Sequence, residues 1–344
     1  MSQLPLNVAL VGCGIFGEVH ASTYAAFDRA RLVAVCDLDE AKAGAFARRF
    51  GGRACTSVDD IADDDRIQAV SVATPDFAHR EVCQKLAAAG KHLLIEKPLA
   101  TSVADAQAIV DAVDAAGVIA MIDFHNRYQP ALATIRARID SGEMGRPQAM
   151  FGRLSDRIEV ATEWFNWSGQ SGPQWFLGSH LADVACWLFG ADPVRVFAEG
   201  RKDVLAARGI DCYDTMHIHL SFPEGFATLE NSWIMPNNWP MICDFYVSLQ
   251  ATKARADMDM SHQGLTVVAD AAGLRYDRPL LVGRTPVGGD TFGFMDFPIR
   301  HFVRTVLAGE PSPLPVEAGL KNTRIIAAAL ESAETGAPVD LDLT

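Results

Sequence analysis

Residues 7–17 read NVALVGCGIFG, an apolar β-rich run that breaks at once into Gly12, Gly14 and Gly17 in G-x-G-x-x-G spacing. The first glycine permits a tight turn, the second lets the backbone approach a pyrophosphate, and the third lets a helix pack on the strand. A helical pattern, GEVHASTYAAF, starts at Gly17, so the amides around Ile15 and Phe16 sit at a helix N-terminus, where an anion is favoured. The next strand pattern, RLVAVCD, ends in Asp37, some twenty residues on, at the offset of a ribose-binding acid. A carboxylate there accepts hydrogen bonds from both ribose hydroxyls and repels a 2'-phosphate. No Arg directly follows it, so the expected cofactor is NAD rather than NADP.

Outward from this turn, short β-rich runs alternate with helical ones. AVSVAT, HLLIEK and IAMID continue the strands, and EAKAGAFARRF, REVCQKLAAAG and VADAQAIVDAVDAAG the helices. That alternation predicts an α/β fold, a Rossmann-type doubly wound parallel sheet of five strands over 1–123. After Asp123 one helix, QPALATIRARIDSG, precedes period-two segments such as PQAMFGRLS, VRVFAEG, TMHIHLSF, FATLENSWI and DFYVSLQ. These predict a C-terminal α+β domain over 124–344 with a large, mainly antiparallel sheet. Two helices, FMDFPIRHFVRTVLAG and VEAGLKNTRIIAAALESAETG, close the chain, and LLVGRTPVGGD reads as a surface loop.

A chain of 344 residues, 49% apolar, is expected to form two cores. The formal charge of −13 argues against nucleic acid, because neutralising phosphates requires surplus Lys and Arg. No apolar run reaches membrane length and the N-terminus lacks a basic signal, so the expected compartment is the cytoplasm. Seven cysteines without C-x-x-C spacing suit reduced, mostly buried thiols, and no metal site is expected.

Ligands of open parallel sheets bind beyond the carboxyl ends of the strands, which puts Thr74, Pro75, His79, Glu96, Lys97 and Pro98 on the cofactor side. Lys97 stands out. An ammonium there can hydrogen-bond a substrate hydroxyl and stabilise the alkoxide-like charge of hydride removal. The alternative for Glu96 and Lys97 is a solvated ion pair. A cis bond at Pro98 suits a sharp strand exit.

GCGIFGEVHAS, VATPDFAHREV and IEKPLATS resemble the glucose-fructose oxidoreductase, inositol dehydrogenase and MocA (Gfo/Idh/MocA) family, and the likeness continues through FHNRYQPAL into GSHLADVACWLFG. The resemblance implies a dinucleotide-binding domain joined to an α+β substrate domain. It implies oxidation or reduction of a sugar or cyclitol with NAD(H) or NADP(H), with Asn126 and Arg127 in the turn after the first domain. The family's usual Asp-x-Gly-x-His-x-x-Asp is matched at Gly178, His180 and Asp183 but carries Phe176 in place of the first Asp, which cannot orient an imidazole.

The resemblance therefore makes His180 the proton-transfer residue. SHLADVACWLF reads as a helix N-capped by Ser179, putting His180 in a first turn that favours neutral imidazole. Asp183, on the same face, would position it or bind a hydroxyl, and Trp175 and Phe176 would offer a flat platform to a sugar ring. The competing reading is a structural His180–Asp183 pair. Trp164, Trp167 and Trp175 form either a sugar-facing wall or core. His217 and His219 share a strand face without a third metal ligand, and His20 and His79 read as packing residues. DDIADDDR reads as a solvated turn.

The expected function is an NAD-dependent dehydrogenase or reductase of a sugar, sugar derivative or cyclitol. Lys97 stabilises the reacting oxygen, His180 exchanges its proton, and Arg127, Trp175, Phe176 and Asp183 line the substrate. The alternatives are a non-catalytic NAD-binding sensor, suggested by Phe176, and a lyase-like use of transient oxidation. The apolar outer residues of MHIHL and FYVSL predict a homodimer or homotetramer.

Overall fold

The computed structural model describes residues 5–260, 266–269, 273–276, 285–287 and 290–343. The chain divides into two compact units, one built from the described residues up to His125 with Met295–Thr323, the other from Asn126 onward with Arg324–Thr344. A single boundary at 123/124 leaves out the return of 295–323 to the first unit.

In the first unit the chain runs β1 (Leu6–Val11), α1 (Ile15–Ala25), β2 (Ala30–Cys36), α2 (Glu40–Phe50), β3 (Arg53–Cys55) and α3 (Asp59–Ala62). It continues through β4 (Ala69–Val72), α4 (His79–Ala88), β5 (His92–Glu96), α5 (Val103–Ala116) and β6 (Ala120–Asp123). The six strands pair in parallel in the order β3-β2-β1-β4-β5-β6. The chain reverses its winding between β1 and β4, which opens the crevice where such sheets take their ligands. Val8, Ala9 and Leu10 are completely buried, as helices on both faces of a parallel strand require. The sequence pattern predicts five of these strands. The sixth, β3, is three residues long and carries no periodicity to detect.

Local signals set the helix ends. Asp39 caps α2 by accepting from the amides of Ala41 and Lys42, at 2.9 and 3.2 Å. Ser102 accepts from Asp105 N at the start of α5, and Gly117 ends that helix at φ +62°.

The second unit begins with α6 (Pro130–Asp140) and β7 (Pro147–Arg157), followed after a non-α segment by α7 (Ser179–Phe189). Then come β8 (Arg195–Arg201), β9 (Thr215–Phe222), β10 (Gly225–Met235), β11 (Cys243–Ala251) and β12 (Arg255–Asp259). Short strands β13 (Thr266–Ala269) and β14 (Gly273–Tyr276) pair with each other, as do β15 (Thr285–Val287) and β16 (Asp290–Phe292). Helices α8 (Asp296–Ala308) and α9 (Val316–Thr335) and strand β17 (Val339–Asp340) complete the chain. Most of the expected loop at 280–290 lies outside the described residues.

The large sheet has the order β12-β11-β7-β10-β9-β8-β17, antiparallel except for the β7–β10 pair. Its period-two pattern is literal. Met216, Ile218 and Leu220 of β9 are wholly buried, while His217 and His219 face outward with Thr215 and Ser221. α8 packs within the first unit, where Thr23 Oγ1 donates to the buried Asp296 Oδ1 at 2.9 Å.

Candidate active site

The glycine turn behaves as its spacing requires. Gly12 has φ +98°, and a Cβ on it would meet Ala73 O at 2.3 Å. A Cβ on Gly17 would stand 2.0 Å from Gly12 O, so helix and strand touch backbone to backbone. A Cβ on Gly14 meets nothing within 4 Å. The open side of this loop is therefore a cradle that a side chain would fill, and it fits a pyrophosphate. Gly14→Ala is expected to change folding stability by less than about 1 kcal/mol yet to weaken NAD binding at least tenfold. Gly17→Ala should lose both, which thermal unfolding with and without NAD separates.

Asp37, just past β2, is fixed in the same crevice. Its Oδ2 accepts from Cys13 N at 2.8 Å and its Oδ1 from Asp39 N at 2.9 Å. Each oxygen keeps a lone pair for a ribose hydroxyl. Thr74 and Pro75 follow β4 and are half-buried. His79 ties the neighbouring strand ends together, with Nε2 3.1 Å from Thr74 O and Nδ1 3.0 Å from Pro98 O. It is the packing residue expected. The Lys97–Pro98 bond is cis.

Lys97 is only 2% exposed, and its Nζ lies 5.7 Å from the centre of the Phe16 ring in the glycine loop. It is not half of a solvated pair. Glu96 points into a buried series of hydrogen bonds in which its Oε1 meets His20 Nε2 at 2.9 Å. His20 Nδ1 lies 2.9 Å from Ser71 Oγ, which meets Tyr24 Oη at 2.5 Å. Burial opposes the charge on Glu96, but His20, His125 and Lys97 outweigh it and hold the carboxyl below its ordinary range. Asp123 Oδ2 is 3.7 Å from the same His20 nitrogen, and burial with the Glu96 charge drives this second carboxyl well above its usual value. The two acids are thus pushed in opposite directions. His20, Glu96 and Asp123 stand close enough to share a metal ion, but the His20 ring already has hydrogen-bond partners at both nitrogens.

His125, which the sequence reading passed over, stacks on Phe16 at 6.1 Å between ring centres. Burial pulls it down from 6.5 to about 4. The unfolded chain binds this proton below its ordinary value and the folded chain only near 4, so stability is lost as pH falls through that window. This group's share of the slope is at most about 1.4 kcal/mol per pH unit. His125→Phe is expected to flatten urea-unfolding stability between those two values by that amount.

In the second unit, the opening of α7 differs from expectation. Residues Gln174–Gly178 form a π-helical turn that runs into α7, and Gly178 has φ −62° and ψ −35°. Ser179 is therefore inside a continuous helix rather than an N-cap, and His180 is not in a first turn. The helix-dipole argument for neutral imidazole falls with it. His180 is 5% exposed. π turns recur at functional sites because they displace side chains from α-helical phase.

Asp183 is committed elsewhere. The Arg127 guanidinium grips it bidentately, Nε to Oδ2 at 2.9 Å and Nη2 to Oδ1 at 2.6 Å. Burial alone would lower Arg127, but the Asp183 charge and hydrogen bonds raise it. These two residues, expected to line substrate, hold each other and tie the segment before α6 to α7. Phe176 joins an aromatic cluster, 5.0 Å from Phe165, 5.7 Å from Trp233 and 6.5 Å from Trp167 between ring centres. Trp175 is buried, Trp167 half-buried and Trp164 exposed, so the tryptophans split between core and surface. Below Gly178 the completely buried Asn231 stands so close that a Cβ there would meet its Oδ1 at 2.8 Å. His217 faces Glu230 at 3.8 Å and His219 bonds Thr228 Oγ1 at 3.2 Å, both in ordinary cross-strand pairs.

A doubly wound sheet with this glycine cradle and ribose acid, joined to a mixed-sheet unit, defines a two-unit dinucleotide-binding protein. Residues 6–124 match the family described as "Oxidoreductase family, NAD-binding Rossmann fold", and 132–256 match the GFO/IDH/MocA C-terminal domain. The chain belongs to the Gfo/Idh/MocA family. It is 33% identical over 201 residues to levoglucosan dehydrogenase of Pseudarthrobacter phenanthrenivorans, covering 54% of this chain and 51% of that protein. It is 32% identical over 221 residues to D-apiose dehydrogenase of Paraburkholderia graminis, covering 62% and 57%. The chain thus spans about half the length of these relatives. The crystal structure of myo-inositol 2-dehydrogenase from Lactobacillus plantarum superposes with a TM-score of 0.85 at 22% identity, covering 98% of this chain and 100% of that one, a likeness of fold.

Proposed function

We propose that the protein is an NAD-dependent dehydrogenase or reductase acting on a hydroxyl/carbonyl carbon of a sugar, sugar derivative or cyclitol in the cytoplasm. The observation that carries this reading is the buried Lys97 ammonium beside Phe16 of the cofactor loop. Gly12, Gly14, Ile15, Phe16 and Gly17 would hold the pyrophosphate of NAD, Asp37 its ribose, and Thr74, Pro75 and Glu96 would border it; NAD bound there would supply hydride transfer. Lys97 hydrogen-bonds the reacting oxygen and stabilises the charge it gains, where water exclusion strengthens the bond. His180 exchanges the hydroxyl proton. The Arg127–Asp183 clasp holds α7 in place. Initial-rate assays of NAD reduction and NADH oxidation across aldoses, cyclitols, anhydrosugars and their keto forms test this. Absence of turnover with every member, while NAD still binds, would favour the sensor reading that Phe176 motivates.

Among the described residues no helix is long and apolar enough to cross a membrane. The apolar residues of MHIHL and FYVSL expected on the outer face, Met216, Ile218, Leu220, Phe245, Val247 and Leu249, are buried, because strand alternation turns them inward; the outer face instead carries Phe197 and Phe226, 37% and 48% exposed, with His219 stacked on Phe226 at 5.5 Å. Burial of that face in a homodimer or homotetramer is part of this reading, and sedimentation as a monomer at micromolar concentration would count against it.

A further inference from the structure

Cysteines that play no part in the chemistry above converge on Asp37. Cys36 and Cys55 are the last residues of β2 and β3 and are partners in register on those adjacent parallel strands. Neighbouring strands lie about 4.8 Å apart, within the window of about 4.4–6.8 Å between Cα atoms that a disulfide spans. Paired residues point to the same face, and the Cys55 thiol donates to the carbonyl of Val35, next to Cys36, at 3.5 Å. The neighbouring Cys36 thiol and Arg53, against burial, lower Cys55, while Cys55 and burial raise Cys36. Cys55 is thus the more acidic of the pair. It is also the outer member, 8% exposed on the edge strand against 2% for Cys36.

The pair is wired to the cofactor crevice through the backbone. Asp37 N donates to Cys55 O at 3.3 Å, and Gly12 N donates to Cys36 O at 2.8 Å. Cys13, between the first two glycines, donates its amide to Asp37 Oδ2 at 2.8 Å, and its Sγ lies 3.8 Å from Cys36 O. Any shift that closes Cys36 on Cys55 moves Asp37 and the glycine turn together.

We propose that Cys55 and Cys36 form an oxidation site for hydroperoxides, and that the disulfide they form displaces Asp37 and weakens NAD binding. The second half rests on the NAD-dependent reading above. The Cys55 thiolate attacks the peroxide oxygen, forming an S–O bond as the O–O bond breaks, and the departing oxygen takes a proton to leave as water or alcohol. The Cys36 sulfur then attacks the sulfenic sulfur. An S–S bond forms, the S–O bond breaks, and water leaves carrying the Cys36 proton. Two thiols are oxidised and one peroxide is reduced.

The test treats the reduced full-length protein with hydrogen peroxide, maps the peptides by mass spectrometry, and measures NAD affinity before and after dithiothreitol. The expected result is a linked Cys36–Cys55 peptide, at least tenfold weaker NAD binding, and recovery on reduction. Cys36→Ser should stop at a dimedone-reactive sulfenic acid on Cys55. Cys55→Ser should leave Cys36 unmodified, with Cys55→Ala and a melting curve as controls for folding. Oxidation confined to other cysteines overturns the site, and linkage without change in affinity overturns its effect on NAD. If the reduced protein binds no NAD, the cofactor reading fails while the peptide map still decides the disulfide.

Discussion

Lys97→Ala is expected to lower kcat about 10²- to 10³-fold, the usual loss when one preorganised donor to a developing oxyanion is removed. The ammonium is buried, so truncation leaves a dry gap that water fills poorly, and no second cation need replace it. The fall should appear in kcat and kcat/KM alike, because the bond to the reacting oxygen tightens only as charge develops. NAD affinity, set by the glycine cradle and Asp37, should change far less. His180→Ala is expected to lose about 10²-fold or more as a proton-transfer group. Full activity in both variants, measured on the best substrate of the panel, would remove both residues from the chemistry.

Phe176→Asp is the second large effect. Restoring the carboxylate that the family pattern carries here should not restore a polar site. It should bury a charge among Phe165, Trp167 and Trp233, whose ring centres lie between 5.0 and 6.5 Å from Phe176. Truncating a packed phenylalanine costs about 3–5 kcal/mol, and an unpaired carboxylate adds to it. Urea unfolding should register a loss of at least about 3 kcal/mol, with Phe176→Leu losing less than half as much. A stable, folded Phe176→Asp would show that the aromatic cluster is not core.

The first unit was legible because its signals are local. Glycine spacing, strand period and strand-end acids each follow from a few neighbouring residues, and NVALVGCGIFG and IEKPL occupy the crevice they predicted. β3 escaped because three residues cannot show a period. The return of 295–323 escaped because an amphipathic helix reveals which face it buries, not which partner it meets. Ser179 has the composition of a cap, but Trp175 N and Phe176 N already bond Gly172 O, so helical turns begin before it. The buried series from Tyr24 to Glu96 joins residues on three elements, and the Arg127–Asp183 clasp joins residues 56 apart. Asp123 had a signal available, as the acid that ends the last parallel strand.

The π turn at Gln174–Gly178 carries one residue more than an α-helical turn needs. Losing a single residue there would leave α7 where it is and rotate a different side chain into the place one turn ahead of His180. Length variation in this segment is thus a route by which descendants of this chain could exchange an aromatic wall for a polar one, without repacking the sheet beneath and without touching the histidine itself.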